Sequence, residues 1–230
     1  MTADCNMLLV HGGWHGPWCW EPILPSLIKA GVSPHTVELP MQSLAGDADT
    51  VRSAMGRLAS ADPLIVVGHS YAGQVISAAG HAADRLVYVA AIAAEANESI
   101  LDSVGFGFGM VPGVEVDEAT WSTRLTAESL PSFYGNAGQS AQDWALPQLR
   151  PLAAGCIAEP LPRHPAWREV ASHYLLSTDD ELLPVGYQRV CATKIGRCTE
   201  IVADHSPFAS APDELVAALL AAATEVAQHA

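Results

Sequence analysis

The sequence predicts an α/β protein built on a mostly parallel sheet of about six strands, with helices on both faces. Strand-like runs rich in β-branched residues alternate with helix-like runs, an order typical of parallel sheets. A length of 230 residues suits one domain of the larger α/β kind. Half of the residues are hydrophobic, so a sizeable core is available.

The elements follow one another in alternation through the first 91 residues and resume near the C-terminus. Predicted strands cover residues 7–10, 33–39, 64–67, 85–91, 173–177 and 198–203. Predicted helices cover residues 17–30, 47–60, 71–83 and 213–227. Gly31 is a suitable C-terminal stop for the first helix, because glycine readily adopts the left-handed conformation found there.

The alternation stops between residues 95 and 165. This segment contains the glycine-rich run GFGFGMVPG, two helix-like stretches at 120–130 and 138–149, and clustered prolines. An insertion of about 70 residues is too long for a plain loop and usually has a function. We therefore predict a helical lid at 95–165 over a core formed by 1–94 and 166–230. Trp121 and Trp144 either line a pocket beneath this lid or simply pack within it.

Ser70 lies in the stretch LIVVGHSYAG, between a buried strand and a helix of small residues. A serine attacks a carbonyl only when it is exposed on a sharp turn and a base removes its proton. Gly68, Ala72 and Gly73 supply the small neighbours that such a turn requires, although Ala72 stands where the usual G-x-S-x-G pattern has glycine. The alternative is a serine that only caps the following helix. We predict that Ser70 is a nucleophile.

The base and acid of a serine nucleophile are expected downstream, each in a loop after a strand. His205 follows the last predicted strand and precedes the last helix, so it is the predicted base. The acid is one of Asp179, Asp180 and Glu181, which end another strand. His11, His15 and His69 precede these carboxylates and are predicted to be structural or pocket-lining.

Two backbone amides are expected to stabilise the developing oxyanion. One belongs to the residue after the nucleophile, Tyr71. The other comes from the loop after the first strand, where Gly12 and Gly13 leave backbone amides unobstructed.

Composition excludes several other classes of function. The formal net charge of −14 argues against binding to nucleic acid, which needs a basic surface. No run of about 18 apolar residues indicates a membrane span, and the N-terminus has no signal-peptide core, so we expect a cytoplasmic location and no membrane partner. The cysteines lack zinc-ligand spacing, and we predict neither a metal nor a cofactor. These cysteines are Cys5, Cys19, Cys156, Cys191 and Cys198.

Four stretches together resemble the plant methylesterase and hydroxynitrile lyase branch of the α/β-hydrolases and its bacterial relatives. They are LLVHGGWHGPWCWEPILPSLIKAG, VVGHSYAG, LLSTDDELLP and DHSPFASAPDEL. The resemblance implies an α/β-hydrolase fold that lacks the first two strands of the full fold. It also implies Ser70 as nucleophile, His205 as base and Asp180 as acid, with the amides of Gly13 and Tyr71 as the oxyanion hole.

The resemblance also separates hydrolysis from cyanohydrin cleavage. The lyases of this branch have a threonine after the first-strand histidine and a lysine after the triad histidine. Gly12 and Ser206 stand at those positions here, so a departing cyanide has no stabilising charge. We expect a serine hydrolase that acts on a small, mostly apolar carboxylic ester or acyl compound. The alternatives are a thioesterase, lactone hydrolase or cyclase that tailors natural products, and a slow-turnover ligand receptor; a homodimer is left open.

Overall fold

A computed structural model describes residues 5–59, 62–104 and 111–224, and the predicted sheet lies within them. Its strands are β1 (Cys5–Val10), β2 (Val32–Val37), β3 (Leu64–His69), β4 (Arg85–Val89), β5 (Val114–Asp117), β6 (Ser122–Leu125), β7 (Leu152–Ala153), β8 (Ser172–Ser177) and β9 (Cys198–Ile201). Six of them form one parallel sheet in the order β2-β1-β3-β4-β8-β9. The prediction of a parallel α/β sheet is confirmed.

The helices occupy the connections between strands. They are α1 (Leu24–Lys29), α2 (Leu44–Leu58), α3 (Ala72–Ala79), α4 (Ile100–Val104), α5 (Leu130–Tyr134), α6 (Gln139–Ala145), α7 (Gly155–Ala158), α8 (Val185–Ile195), α9 (Pro207–Ser210) and α10 (Pro212–Thr224). The ends of the predicted helices at 47–60 and 213–227 fall on residues 60 and 225–227, outside the described residues.

Alternation along the buried strands divides the core into two layers. In β3, Val66 packs with α2 and α3 on one face, whereas Ile65 and Val67 pack with α1 and α10 on the other. Successive side chains of a strand point to opposite faces, so a strand apolar at every position is covered on both sides. Helices therefore lie on both faces of the sheet, as predicted.

Three predictions of local structure were wrong or incomplete. The helix predicted at 17–30 is a 3-10 turn at Pro17–Trp20 followed by α1, and Gly31 ends α1 with a φ of 87°. The stretch 120–130 contains β6 rather than a helix, because residues 122–125 pair with two other strands. Helix α8 was not predicted, although Pro184 at its start and Gly196 at its end are standard helix boundaries.

Residues 95–165, called the inserted segment below, connect β4 to β8 and are not purely helical. They contain α4 to α7 and a separate antiparallel sheet with the order β5-β6-β7. Of the glycine-rich run, residues 105–110 lie outside the described residues. Within the part of the chain that is described, no helix is both long and apolar enough to cross a bilayer.

Candidate active site

Ser70 occupies a strained turn between β3 and α3. Its φ is 55°, in the left-handed region that side chains other than glycine rarely adopt. A Cβ at Gly68 would lie 2.8 Å from the carbonyl oxygen of Ala72, and one at Gly73 would lie 2.3 Å from that of Ile92. Both glycines are therefore required by close backbone approach, whereas position 72 tolerates alanine. The turn holds the Ser70 side chain at the carboxyl end of the sheet.

The structure brings the predicted base and one predicted acid to this serine. The Nε2 atom of His205 lies 2.9 Å from the Oγ atom of Ser70, and the Nδ1 atom of His205 lies 2.7 Å from the Oδ2 atom of Asp180. His205 follows β9 and Asp180 follows β8, so both come from loops at the carboxyl end of parallel strands. Asp179 is exposed and instead accepts a hydrogen bond from the Asn136 side chain.

The carboxylate of Asp180 is fixed by donors on both oxygens. Its Oδ1 atom accepts the backbone N–H groups of Leu182 (2.9 Å) and Leu183 (2.8 Å). Its Oδ2 atom accepts Nε2 of Gln188 at 2.8 Å in addition to the imidazole. Gln188 is fully buried on α8, the helix that the sequence interpretation missed. The buried residues Gln188, Cys191 and Ala192 recur at helical spacing, and this periodicity was the available sequence signal for α8.

The two residues expected to supply oxyanion amides lie beside the nucleophile. A Cβ at Gly12 would lie 3.1 Å from the Ser70 Cβ, and one at Gly13 would lie 3.6 Å from the Tyr71 Cβ. The loop after β1 therefore runs directly against the turn that carries Ser70. Tyr71 begins the helical conformation of α3, with φ −47° and ψ −40°.

Three buried histidines support these loops. Because a carbonyl oxygen only accepts, His11 donates Nδ1–H to the Gly12 oxygen, His15 donates Nδ1–H to the Gly13 oxygen, and His69 donates Nε2–H to the His205 oxygen. Burial lowers the pKa of His11 to about 4, that of His15 to about 3, and that of His69 well below its ordinary value. These side chains are neutral and stabilise the backbone of the loops through hydrogen bonds, which is the structural role predicted for them as one of two possibilities.

Asp47 is a buried carboxylate that sequence reasoning did not single out. One of its oxygens accepts the backbone N–H of Met41 at 2.8 Å, and the other accepts the hydroxyl of Tyr71 at 2.6 Å. Burial raises the pKa of Asp47, and it raises that of the neighbouring Cys156 thiol to about 12. Tyr71 is therefore anchored at its hydroxyl end by the first turns of α2.

A cavity of about 80 Å³ opens beside Ser70 and His205. Apart from these two residues and Tyr71, its described walls are apolar: Trp14, Ile92, Ile100, Leu101, Val104, Val111, Leu152, Ile157, Leu182 and Leu183. Trp121, 71% exposed, and Trp144, which packs edge-on against Trp18 at 4.9 Å, are not among these lining residues. The described part of the wall carries no Asp, Glu, Lys or Arg side chain, so it favours an uncharged ligand.

Comparisons with known proteins identify the family of this chain. The family model described as "Alpha/beta hydrolase family" matches residues 7–218. An alpha/beta hydrolase, nvfD, of Aspergillus novofumigatus is 26% identical, covering 95% of this chain and 96% of its own length. A carbendazim hydrolyzing esterase of Nocardioides is 36% identical over 42% of this chain and 46% of its own. A pyrethroid hydrolase structure from Sphingobium faniae superposes with a TM-score of 0.82 at 18% identity, covering 97% and 99% of the two chains. The chain belongs to the alpha/beta hydrolase family.

Proposed function

We propose that this protein hydrolyses small, mostly apolar carboxylic esters through a covalent acyl-enzyme. The observation that carries the proposal is the continuous hydrogen-bond chain from Ser70 through His205 to Asp180. A serine activated by a base, with the base oriented by a third group, is the arrangement that acyl transfer requires. A carbendazim hydrolyzing esterase and a pyrethroid hydrolase among the similar proteins support the same reaction class.

The reaction proceeds in two halves. In the first, the Ser70 oxygen attacks the ester carbonyl carbon and its proton moves to Nε2 of His205. The C–O bond to the alcohol then breaks, and the alcohol leaves with that proton. In the second half a water gives its proton to His205 and attacks the acyl carbon. The acid departs as Ser70 recovers its proton.

The surrounding residues stabilise the charges that appear on this path. Asp180 offsets the positive charge of the imidazolium, and its fixed position keeps the proton on Nδ1. The amides of Gly13 and Tyr71 donate to the carbonyl oxygen as it becomes negative. Desolvation by the apolar wall strengthens both interactions, and the inserted segment acts as the lid that supplies much of this wall.

Two measurements test the proposal. A fluorophosphonate probe is expected to add one equivalent of covalent label, seen by intact-protein mass, to the wild type and none to Ser70→Ala, because the probe requires an activated serine. A panel of p-nitrophenyl esters, a thioester and a lactone, assayed with both proteins, then identifies the acyl class. Labelling that persists in Ser70→Ala refutes the nucleophile assignment. A burst without steady turnover on every substrate identifies a receptor instead, and turnover of the thioester or lactone alone identifies a tailoring enzyme.

A further inference from the structure

Trp14 is a strained residue in the loop that carries the expected oxyanion donor. It directly follows Gly13, and its φ is 61°, a left-handed conformation unusual for a bulky side chain. Such strain persists only where the surroundings impose it, and it concentrates at functional sites. The contacts that hold Trp14 therefore control the conformation of the loop after β1.

Those contacts come from the inserted segment. The main-chain oxygen of Trp14 accepts the N–H of Arg150 at 2.7 Å. The indole Nε1–H donates to the Thr123 hydroxyl at 3.0 Å, and that hydroxyl in turn donates to the Leu152 oxygen at 3.2 Å. The indole ring also packs edge-on against Phe133, with ring centroids 6.0 Å apart. The backbone, the ring and the indole N–H of Trp14 are therefore each held by a residue of the inserted segment.

Strands β6 and β7 of the inserted segment also contact the loop after β1 directly. This loop, residues 11–16, is called the oxyanion loop below. Leu152 pairs with Thr123 between β7 and β6, and its side chain lies against Gly13, where an added Cβ would be 3.1 Å from the Leu152 Cδ2 atom. Thr123 is 98% buried, so its hydroxyl is sheltered from competing water. One hydroxyl therefore joins the small antiparallel sheet to the loop that faces Ser70.

We propose that Trp14 and Thr123 are positioning residues for the oxyanion hole: their hydrogen bond holds the strained loop so that the Gly13 amide meets the developing negative charge. The inference rests on the proposed function and extends it by giving the inserted segment a part in catalysis. Loss of the bond lets the loop relax at Trp14, which weakens transition-state binding more than substrate binding.

The test is a double-mutant cycle on an activated ester. Thr123→Val keeps shape and burial but removes the hydroxyl, and Trp14→Phe keeps a ring but removes the N–H donor. We expect each to lower kcat about tenfold, less than the loss of a whole oxyanion donor, which costs 10²–10³. The double variant is expected to be no worse than the poorer single variant, because each change removes the same bond.

Inhibitors separate positioning from general structure. A trifluoromethyl ketone adds to Ser70 and forms an oxyanion, whereas the matching methyl ketone only occupies the cavity. Thr123→Val is expected to weaken the fluorinated inhibitor by the same factor as kcat and to leave the methyl ketone within twofold. Thr123→Ser, which retains the hydroxyl, is expected to restore kcat. Thr120→Val is the matched control, since Thr120 lies on the same hairpin, is exposed, and hydrogen-bonds to Ser122 through its hydroxyl and to Asp117 through its backbone N–H.

Several results would overturn the inference. One is a Thr123→Val enzyme with wild-type kcat and wild-type affinity for the trifluoromethyl ketone. Another is a double variant whose losses multiply, and a third is equal weakening of both ketones. If Thr123→Val does not fold, Thr123→Ala carries the inhibitor comparison, because it also removes the hydroxyl and Thr123 is not among the described residues that line the cavity. Failure of the proposed function is seen separately, as a wild-type protein that neither turns over the ester nor reacts with the fluorophosphonate.

Discussion

Replacing Asp180 with asparagine tests the assignment of the acid most directly. In the wild type, Oδ1 is held by the backbone N–H groups of Leu182 and Leu183, and these donors demand an oxygen at that position. The new amide nitrogen of Asp180→Asn must therefore replace Oδ2, facing Nδ1 of His205. A nitrogen that bears hydrogens only donates, so Nδ1 has to become the acceptor and its proton has to move to Nε2.

The misplaced proton removes the base. With its proton on Nε2, His205 points an N–H at the Ser70 oxygen, 2.9 Å away, and has no lone pair with which to accept the serine proton. In a serine protease the equivalent change costs about 10⁴ in kcat. We expect a loss of about 10²–10⁴ here. The new amide also faces Nε2 of Gln188, so two N–H donors oppose each other. We therefore expect the free energy of unfolding to fall by about 1–3 kcal/mol in addition to the kinetic effect.

Asp179→Asn is the matched control, since it makes the same chemical change one residue away. The Asp179 side chain is exposed and bonds to Asn136, so its loss acts on the imidazole only through a weakened field and costs at most about tenfold. Both variants are compared with wild type by stopped-flow acylation with one p-nitrophenyl ester, after circular dichroism has shown that each is folded. Near-normal acylation by Asp180→Asn alongside a crippled Asp179→Asn would refute the reasoning.

Three further predictions concern residues around the reacting groups. Gln188→Leu removes a donor to Asp180, and we expect kcat to fall about threefold to tenfold with a stability loss of about 1–3 kcal/mol, measured by steady-state kinetics and urea unfolding. Tyr71→Phe leaves one oxygen of the buried Asp47 with only the weak thiol donor of Cys156, 3.7 Å away, so the free energy of unfolding is expected to fall by about 1–3 kcal/mol; a change under about 0.5 kcal/mol contradicts this. Acidification below pH 6.5 is expected to destabilise the fold, because the unfolded chain binds protons at His11 and His15 while the folded chain does not until about pH 4 and 3. Each contributes up to about 1.4 kcal/mol per pH unit, and urea titrations at pH 7, 6 and 5 that coincide would refute it.

The features that sequence reasoning predicted are those decided within a few residues along the chain. The turn at Ser70 follows from a β-branched run, the close approaches at Gly68 and Gly73, and a helix of small residues, so its signal is local. The parallel sheet follows from alternation, which also needs no knowledge of distant partners. The pairing of His205 with one of the carboxylates at 179–181 was accessible for a related reason, since loops after parallel strands converge at one edge of the sheet, whereas the choice of Asp180 was implied by the family resemblance.

Two of the features that it missed depend on partners far along the chain. The stretch around Thr123 forms a strand because it pairs with residues 114–117 and 152–153, and its own composition is equally compatible with a helix. Asp47 occupies an ordinary position in the first turns of a helix. Its sequence neighbours give no sign that it accepts a hydrogen bond from the hydroxyl of Tyr71, 24 residues away. Long-range pairing, rather than weak propensity, set the limit at both positions.

The parallel core and the inserted segment contribute different parts of the proposed site. The proposed reacting groups are placed by local geometry of the parallel core, whereas the walls around them come largely from the inserted segment, through residues such as Leu152 and Ile157. The bond between Trp14 and Thr123 crosses that boundary, because one partner follows β1 and the other lies on β6. A change of the inserted segment that alters substrate preference is therefore expected to disturb the oxyanion loop as well, unless Thr123 and its register with Leu152 are kept. Two chimeras test this: one exchanges the whole inserted segment, and the other exchanges it but keeps Thr123 and Leu152. We expect the second chimera to change KM alone and the first to lower kcat as well.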